Sequence, residues 1–173
     1  MPIHIIIDGY NLIRQSSALS DLDEQDIQLG REALIDQLAA YKRLKGHRIS
    51  VVFDGQNAST TYSRRDRVKG IDILFSSVGE LADTAIKRMV SGEKERAIVV
   101  TSDREIESYA SARGANVVHS PEFQEKLTMA SYMALKGKEE NGSEGWIPTT
   151  QKKGPRRRLS KKARKNRARI HKL

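Results

Sequence analysis

The chain has no cysteine, which excludes disulfides, a zinc–thiolate centre and a thiol nucleophile. Its four histidines, His4, His47, His119 and His171, are scattered without a paired motif. Zinc is therefore a poor fit, no nucleophilic histidine arrangement is expected, and any chemistry rests on acids. No apolar run approaches the roughly 20 residues of a membrane helix. The apolar stretch near the N-terminus is only a few residues long and lacks a basic leader, so neither a secretory signal nor a membrane partner is expected and a cytoplasmic location follows. Internal repeats are also missing. Acids are absent from the last 23 residues, Gln151 to Leu173, which carry 12 lysines and arginines.

That last absence divides the chain. The net charge is +9 over 173 residues, yet outside the tail 19 bases face 22 acids, a body of −3. A length of 173 residues suits one domain with a core, and 38% hydrophobic with 31% charged residues indicates a soluble fold. The expected organisation is a domain over 1–136, a linker over 137–150 whose Trp146 docks on the body or stacks on a base, and a disordered basic tail over 151–173. Blocks such as Arg156, Arg157 and Arg158 attract polyanions by releasing counterions rather than by reading bases, so RNA or a ribosome is the expected partner.

Within the body, short β-branched runs alternate with helical patterns. His4-Ile5-Ile6-Ile7 ends in Asp8, Ile49 to Phe53 ends in Asp54, Ile71 to Phe75 leads to Glu80 and Asp83, and Ala97 to Ser102 ends in Asp103. Ala115 to Val118 gives a fifth strand. Helices are expected over Gly30 to Leu44, Leu81 to Val90, Arg104 to Arg113 and Ser120 to about Leu135, with Gly46 and Gly92 as stops. This alternation specifies an α/β fold with a central, mostly parallel five-stranded sheet. The stretch from Gly55 to Gly70 reads as a polar loop whose Arg64, Arg65, Arg67 and Lys69 suit a phosphate backbone.

In open α/β sheets, ligands bind beyond the carboxyl ends of the strands, where these acids fall. Each also has a plainer explanation. Asp8 could cap a helix or open an Asp-Gly turn, and Asp54-Gly55 repeats that pattern. Ser77-Val78-Gly79-Glu80 and Ser102-Asp103-Arg104-Glu105 fit capping boxes, and Asp83 suits a helix's first turn. Together they are harder to dismiss, because converging carboxylates repel unless a cation or proton lies between them. Hard divalent cations with oxygen ligands are the natural occupants.

The motifs Asp8-Gly9-Tyr10-Asn11-Leu12-Ile13, Val51-Val52-Phe53-Asp54-Gly55, Gly79-Glu80-Leu81-Ala82-Asp83 and Val100-Thr101-Ser102-Asp103 resemble the NYN branch of the PIN-like nucleases. The likeness is to its small bacterial members related to a ribosome-associated endoribonuclease, and it spans about Pro2 to Leu135. It implies a three-layer α/β/α sandwich and metal-dependent endoribonuclease activity with one or two Mg²⁺ or Mn²⁺ ions. It also implies that Asp8, Glu80, Asp83 and Asp103 are the catalytic, metal-ligating set, that Asn11 orients a ligand or phosphate, and that Asp54 is an accessory. Relatives commonly carry Glu-Thr-Ala-Asp where this chain has Glu80-Leu81-Ala82-Asp83, which keeps both acids. RNA, messenger RNA in particular, is the implied substrate, and a homodimer the implied assembly.

Two other phosphate-active folds fall away on spacing. A haloacid-dehalogenase-type phosphatase needs a second acid two residues after the first, where this chain has Tyr10. A response-regulator receiver needs paired acids after strand one and a lysine after strand five. The competing class is a non-catalytic RNA- or ribosome-binding module whose acids hold a structural cation or cap helices.

Overall fold

A computed structural model describes residues 3–55, 64–139 and 160–173. Arg156, Arg157, Arg158 and Trp146 lie outside the described residues. The first strand, β1 (His4–Asp8), leads into three helices, α1 (Gly9–Arg14), α2 (Ser17–Gln25) and α3 (Ile27–Lys45). Then come β2 (Arg48–Phe53), β3 (Arg65–Val68), β4 (Ile71–Phe75), α4 (Ala82–Glu93), β5 (Ala97–Val100), α5 (Arg104–Ala112), β6 (Asn116–Val118), α6 (Ser120–Glu139) and α7 (Lys161–His171). The strands form one sheet in the order β3-β4-β2-β1-β5-β6.

The fold is α/β with a mostly parallel sheet of six strands rather than five. The additional strand is β3, antiparallel to β4, in the stretch read as a polar loop. It is a short, charged strand at the sheet's edge, as exposed edges tend to be, so no apolar alternation announced it. A two-residue turn joins it to β4, with both Lys69 (φ 52°) and Gly70 (φ 81°) in the left-handed region that tight hairpins require.

Alternation along the strands sends side chains to two apolar layers. Ile5, Ile7, Val51 and Phe53 pack with Leu34 and Leu38 of α3 and Phe123 and Leu127 of α6. Ile6, Val52 and Val99 pack with Ile86 and Val90 of α4 and Ile106 and Ala110 of α5. Ile5, Ile6 and Ile7 are wholly buried, each contributing roughly 1.5–3 kcal/mol. Gly46 ends α3 in the left-handed conformation, φ 71°, as expected. Gly92 does not end α4; the chain turns at Lys94, φ 49°.

Among the described residues, no helix is long and apolar enough to cross a membrane. The described end of the tail is not a free arm. Leu173 is buried with the α3-side core and Ile170 packs against it. The Tyr41 hydroxyl donates to the Leu173 carbonyl at 2.6 Å, and Lys165 pairs with Glu95 at 2.8 Å. A composition of mostly bases predicted disorder, but Ile170 on α7 and Leu173 just past its end suffice to dock the segment on the core.

Candidate active site

The chain leaves β1 toward β2 on one side and later returns to place β5 on the other. The carboxyl ends of β1 and β5 therefore flank a topological switch point, where this fold class opens a crevice. Pairing Ile7 with Val100 places Asp8 beside Thr101. The Thr101 hydroxyl donates to Asp8 Oδ2 at 3.5 Å, and the Asp103 amide donates back to Thr101 Oγ1 at 3.1 Å.

Asp8 also caps α1, its Oδ1 accepting from the Asn11 amide at 3.4 Å. Asp103 caps α5 and accepts from the Glu105 and Ile106 amides at 2.8 and 3.2 Å. Asp83 occupies the first turn of α4. The capping explanation thus holds for Asp8, whereas the Ser102–Glu105 box does not form, because Asp103 itself caps α5 and the Ser102 hydroxyl accepts from the Ser120 amide instead.

Burial, together with the charges of Asp83 and Asp103, raises the Asp8 carboxyl to about 6; the Asn11 amide and Thr101 hydroxyl oppose this. Asp83 is likewise raised, first by burial and then by Asp103, with Lys87 pulling the other way. Lys87 is engaged by Glu105. A folded Asp8 therefore keeps its proton to higher pH than an unfolded one. Its ionisation costs stability as pH rises from about 4 to about 6, by roughly 3 kcal/mol at 1.36 kcal/mol per unit. In cation-free buffer, Asp8→Asn should melt at the parent's temperature near pH 4 and increasingly above it up to neutrality. Parallel melting curves across that range would show that Asp8 is not desolvated.

Glu80 stands apart from this trio. It ion-pairs with Arg88 and accepts from the Ser77 amide at 3.1 Å, forming half of the anticipated capping box. The helix, however, starts after Leu81, which provides no side-chain cap. Among the described residues, no three His, Asp or Glu side chains form a ready-made ion site.

Asn11 acts as a brace. Its side-chain oxygen accepts from the Ser102 amide at 3.0 Å and the buried Ser120 hydroxyl at 2.6 Å, tying α1 to the β5–α5 turn and the start of α6. Asp54 lies within electrostatic reach of the Tyr10 hydroxyl. Both Asp-Gly pairs need glycine for room: a Cβ on Gly9 would come within 2.3 Å of the Phe53 ring, and one on Gly55 within 1.9 Å of the Ser76 carbonyl. Of the bases, Arg64, Arg65 and Arg67 line hollows on the α4 side. Lys69 instead pairs with Asp36 of α3.

Two buried polar groups escaped the sequence reading. Arg31 is wholly buried, donates from Nε to the Tyr10 hydroxyl at 2.9 Å, and lies over the Phe53 and Phe75 rings at 5.5 and 5.0 Å. Its position on the apolar stripe of α3, three, four and seven residues before Leu34, Ile35 and Leu38, was the available signal. His4 has two partners the sequence did not point to: Nε2 meets Ser50 Oγ at 2.8 Å and Nδ1 meets Glu93 at 3.2 Å. The order resembles a nucleophile, base and orienting acid. Ser50, however, is 1% exposed inside a regular strand, and burial lowers His4's affinity for a proton. The trio is a buried polar bridge.

A family profile described as YacP-like NYN domain matches residues 5–172. It runs past Leu135, where the motif resemblance ended, and takes in α7. The curated Bacillus subtilis (strain 168) protein named Uncharacterized protein YacP is 28% identical over 102 residues, covering 57% of this chain and 59% of that protein. The chain thus spans about three fifths of that relative's length. A crystal structure of Rae1 (YacP) from Bacillus subtilis superposes with a TM-score of 0.69 at 25% identity, covering 81% of each chain. A point variant of the same protein gives 0.67 at 24% identity, covering 83% of this chain and 86% of that one.

Proposed function

The chain belongs to the YacP-like NYN domain family, a branch of the PIN-like nucleases, and from that premise we propose that it is a metal-dependent endoribonuclease. The observation that carries the reading is the partly buried Asp8 carboxylate at the end of β1, linked through Thr101 to Asp103 and close to Asp83 at the sheet's switch point. Such a group destabilises the fold when ionised and gains most from a nearby cation.

The donor set fits a hard divalent ion: it consists of carboxylate oxygens, with no sulfur. Asp8, Asp83 and Asp103 would hold one or two Mg²⁺ or Mn²⁺ ions. Such ions activate water at neutral pH and neutralise charge on a phosphodiester undergoing in-line displacement. The protein's part is positioning. The α5 amides orient Asp103, Thr101 links Asp103 to Asp8, and Asn11 keeps the two turns in register. Arg64, Arg65 and Arg67 hold the RNA backbone beside them. Messenger RNA, free or on a ribosome, is the substrate class we assign, with products ending in 5′-phosphate and 3′-hydroxyl.

A second reading, a non-catalytic RNA-binding module, is favoured by one feature: the Asp8 and Asp103 oxygens already cap helices. Incubating the protein with labelled RNA or DNA, in Mg²⁺, Mn²⁺ or EDTA, separates the two. Cation-dependent cleavage confined to RNA is expected. Retention of RNA with no cleavage under any cation establishes the binding module instead.

A further inference from the structure

The α4 face of the sheet carries a basic track that extends well beyond Arg64, Arg65 and Arg67. Period-two alternation places His4, Ile6 and Asp8 on one face of β1. Ser50 and Asp72, on neighbouring strands, line the same side at the sheet's amino-terminal end. A hollow of about 570 Å³ opens there between α4 and the strands, with Arg48, Arg65 and Arg67 on the sheet wall and Arg88 on the helix wall.

Two further hollows continue it in opposite directions. One, of about 310 Å³, shares Arg65, Leu74, Arg88 and Met89 with the first and ends at Ser77 and Glu80. The other, of about 680 Å³, shares Glu93 and runs along Lys94 and Arg96 to Lys165, Arg169 and Lys172 at α7. Among the described residues lining the three, ten are lysine or arginine, three of them (Lys165, Arg169 and Lys172) from the basic tail, and five are acids.

The acids fix the bases in place. Asp72 pairs with Arg48 and Arg67, and Glu93 with Arg48 and Arg96. The Arg48, Arg67 and Arg88 side chains nevertheless remain 59%, 67% and 66% exposed, leaving N–H groups open to a phosphate. Leu74 and Met89 give the floor an apolar strip suited to base faces. From Asp72 to the end of β4 at Phe75 the strand alone covers about 10 Å, and the chain continues toward Ser77. Beyond Ser77, Val78 and Leu81 are 93% and 55% exposed on the turn that leads to Asp83.

We infer that one RNA strand runs along this face, from α7 past Lys94 and Arg96, through Arg48 and Arg88, and over the Val78–Leu81 turn to the carboxylates. This rests on the nuclease reading and adds the substrate's path. It also connects the basic tail with the acidic site through a surface rather than through a flexible arm.

The test measures binding of a fluorescein-labelled oligouridine to full-length Asp8→Asn protein across a salt series, so that cleavage plays no part. Adding Arg48→Gln, Arg67→Gln and Arg88→Gln should weaken binding about tenfold or more and lower the log–log salt slope by about 2, at about 0.7 per lost single-strand phosphate contact. Arg14→Gln, Arg43→Gln and Lys45→Gln, which are exposed and lie on helices of the opposite layer, should change neither. Lys165→Gln should weaken long oligomers and leave the shortest that bind unaffected. The path is overturned if the groove and control sets behave alike, or if Lys165→Gln acts equally at every length. Groove-dependent binding without cation-dependent cleavage in the parent overturns the nuclease reading alone, and cleavage with groove-independent binding overturns the path alone.

Discussion

Asp8→Asn protein, supplied with RNA and Mn²⁺, should cleave at least about a hundredfold more slowly than the parent, a loss of roughly 2.7 kcal/mol of transition-state stabilisation. The substitution is a narrow one. Asparagine is as good an N-cap as aspartate, so α1 keeps its start, and the desolvation that raises the Asp8 carboxyl is relieved. The variant should be better folded at neutral pH, and it should bind RNA as tightly as the parent or more so, because a negative charge has left the phosphate's surroundings. Loss of activity with gain of stability separates a catalytic carboxylate from a capping one. Asp103→Asn should behave alike in activity, while Glu80→Gln, whose group is engaged by Arg88 and the Ser77 amide, should cost far less. Unimpaired cleavage by purified Asp8→Asn would return Asp8 to the role of helix cap.

What the sequence made legible tracks how local each signal was. The strands β1, β2, β4 and β5 are apolar runs whose burial needs no further information, and the acids at or just beyond the ends of β1, β2 and β5 are visible because strand and turn adjoin. Which acids converge was harder. Asp8, Asp83 and Asp103 do so because β5 returns beside β1, whereas Glu80 follows an edge-side strand and turns toward Arg88; three residues of spacing on a helix cannot decide this when the helix begins after the first of them. The His4 bridge spans 46 and 89 residues and has no sequence signature. β3 was missed because an edge strand made of Arg65, Asp66, Arg67 and Val68 carries its pairing in the backbone. At the C-terminus, Ile170 and Leu173 stand among bases and carry no apolar periodicity to mark them.

The docked C-terminus has a second large expected effect. If residues 160–173 formed a free arm, removing them would change RNA affinity and leave the melting temperature alone. In the structure Leu173 is 3% exposed in the core that contains Tyr41 and Phe123, and its carbonyl is the acceptor for the Tyr41 hydroxyl. Removal takes away a buried leucine, worth roughly 1.5–3 kcal/mol, and leaves a buried hydroxyl without its partner, costing about 1–3 kcal/mol more. At about 2–4 °C per kcal/mol for a domain of this size, the truncated protein should melt about 10 °C lower, with RNA binding also weakened because Lys165 and Arg169 are gone. Leu173→Ala separates the two contributions. Its melting temperature should fall by about 5 °C, reflecting about 2 kcal/mol of lost burial, while its salt slope for RNA stays that of the parent. An unchanged melting temperature in both proteins would mean that α7 adds charge but no stability, and the body would then fold without it.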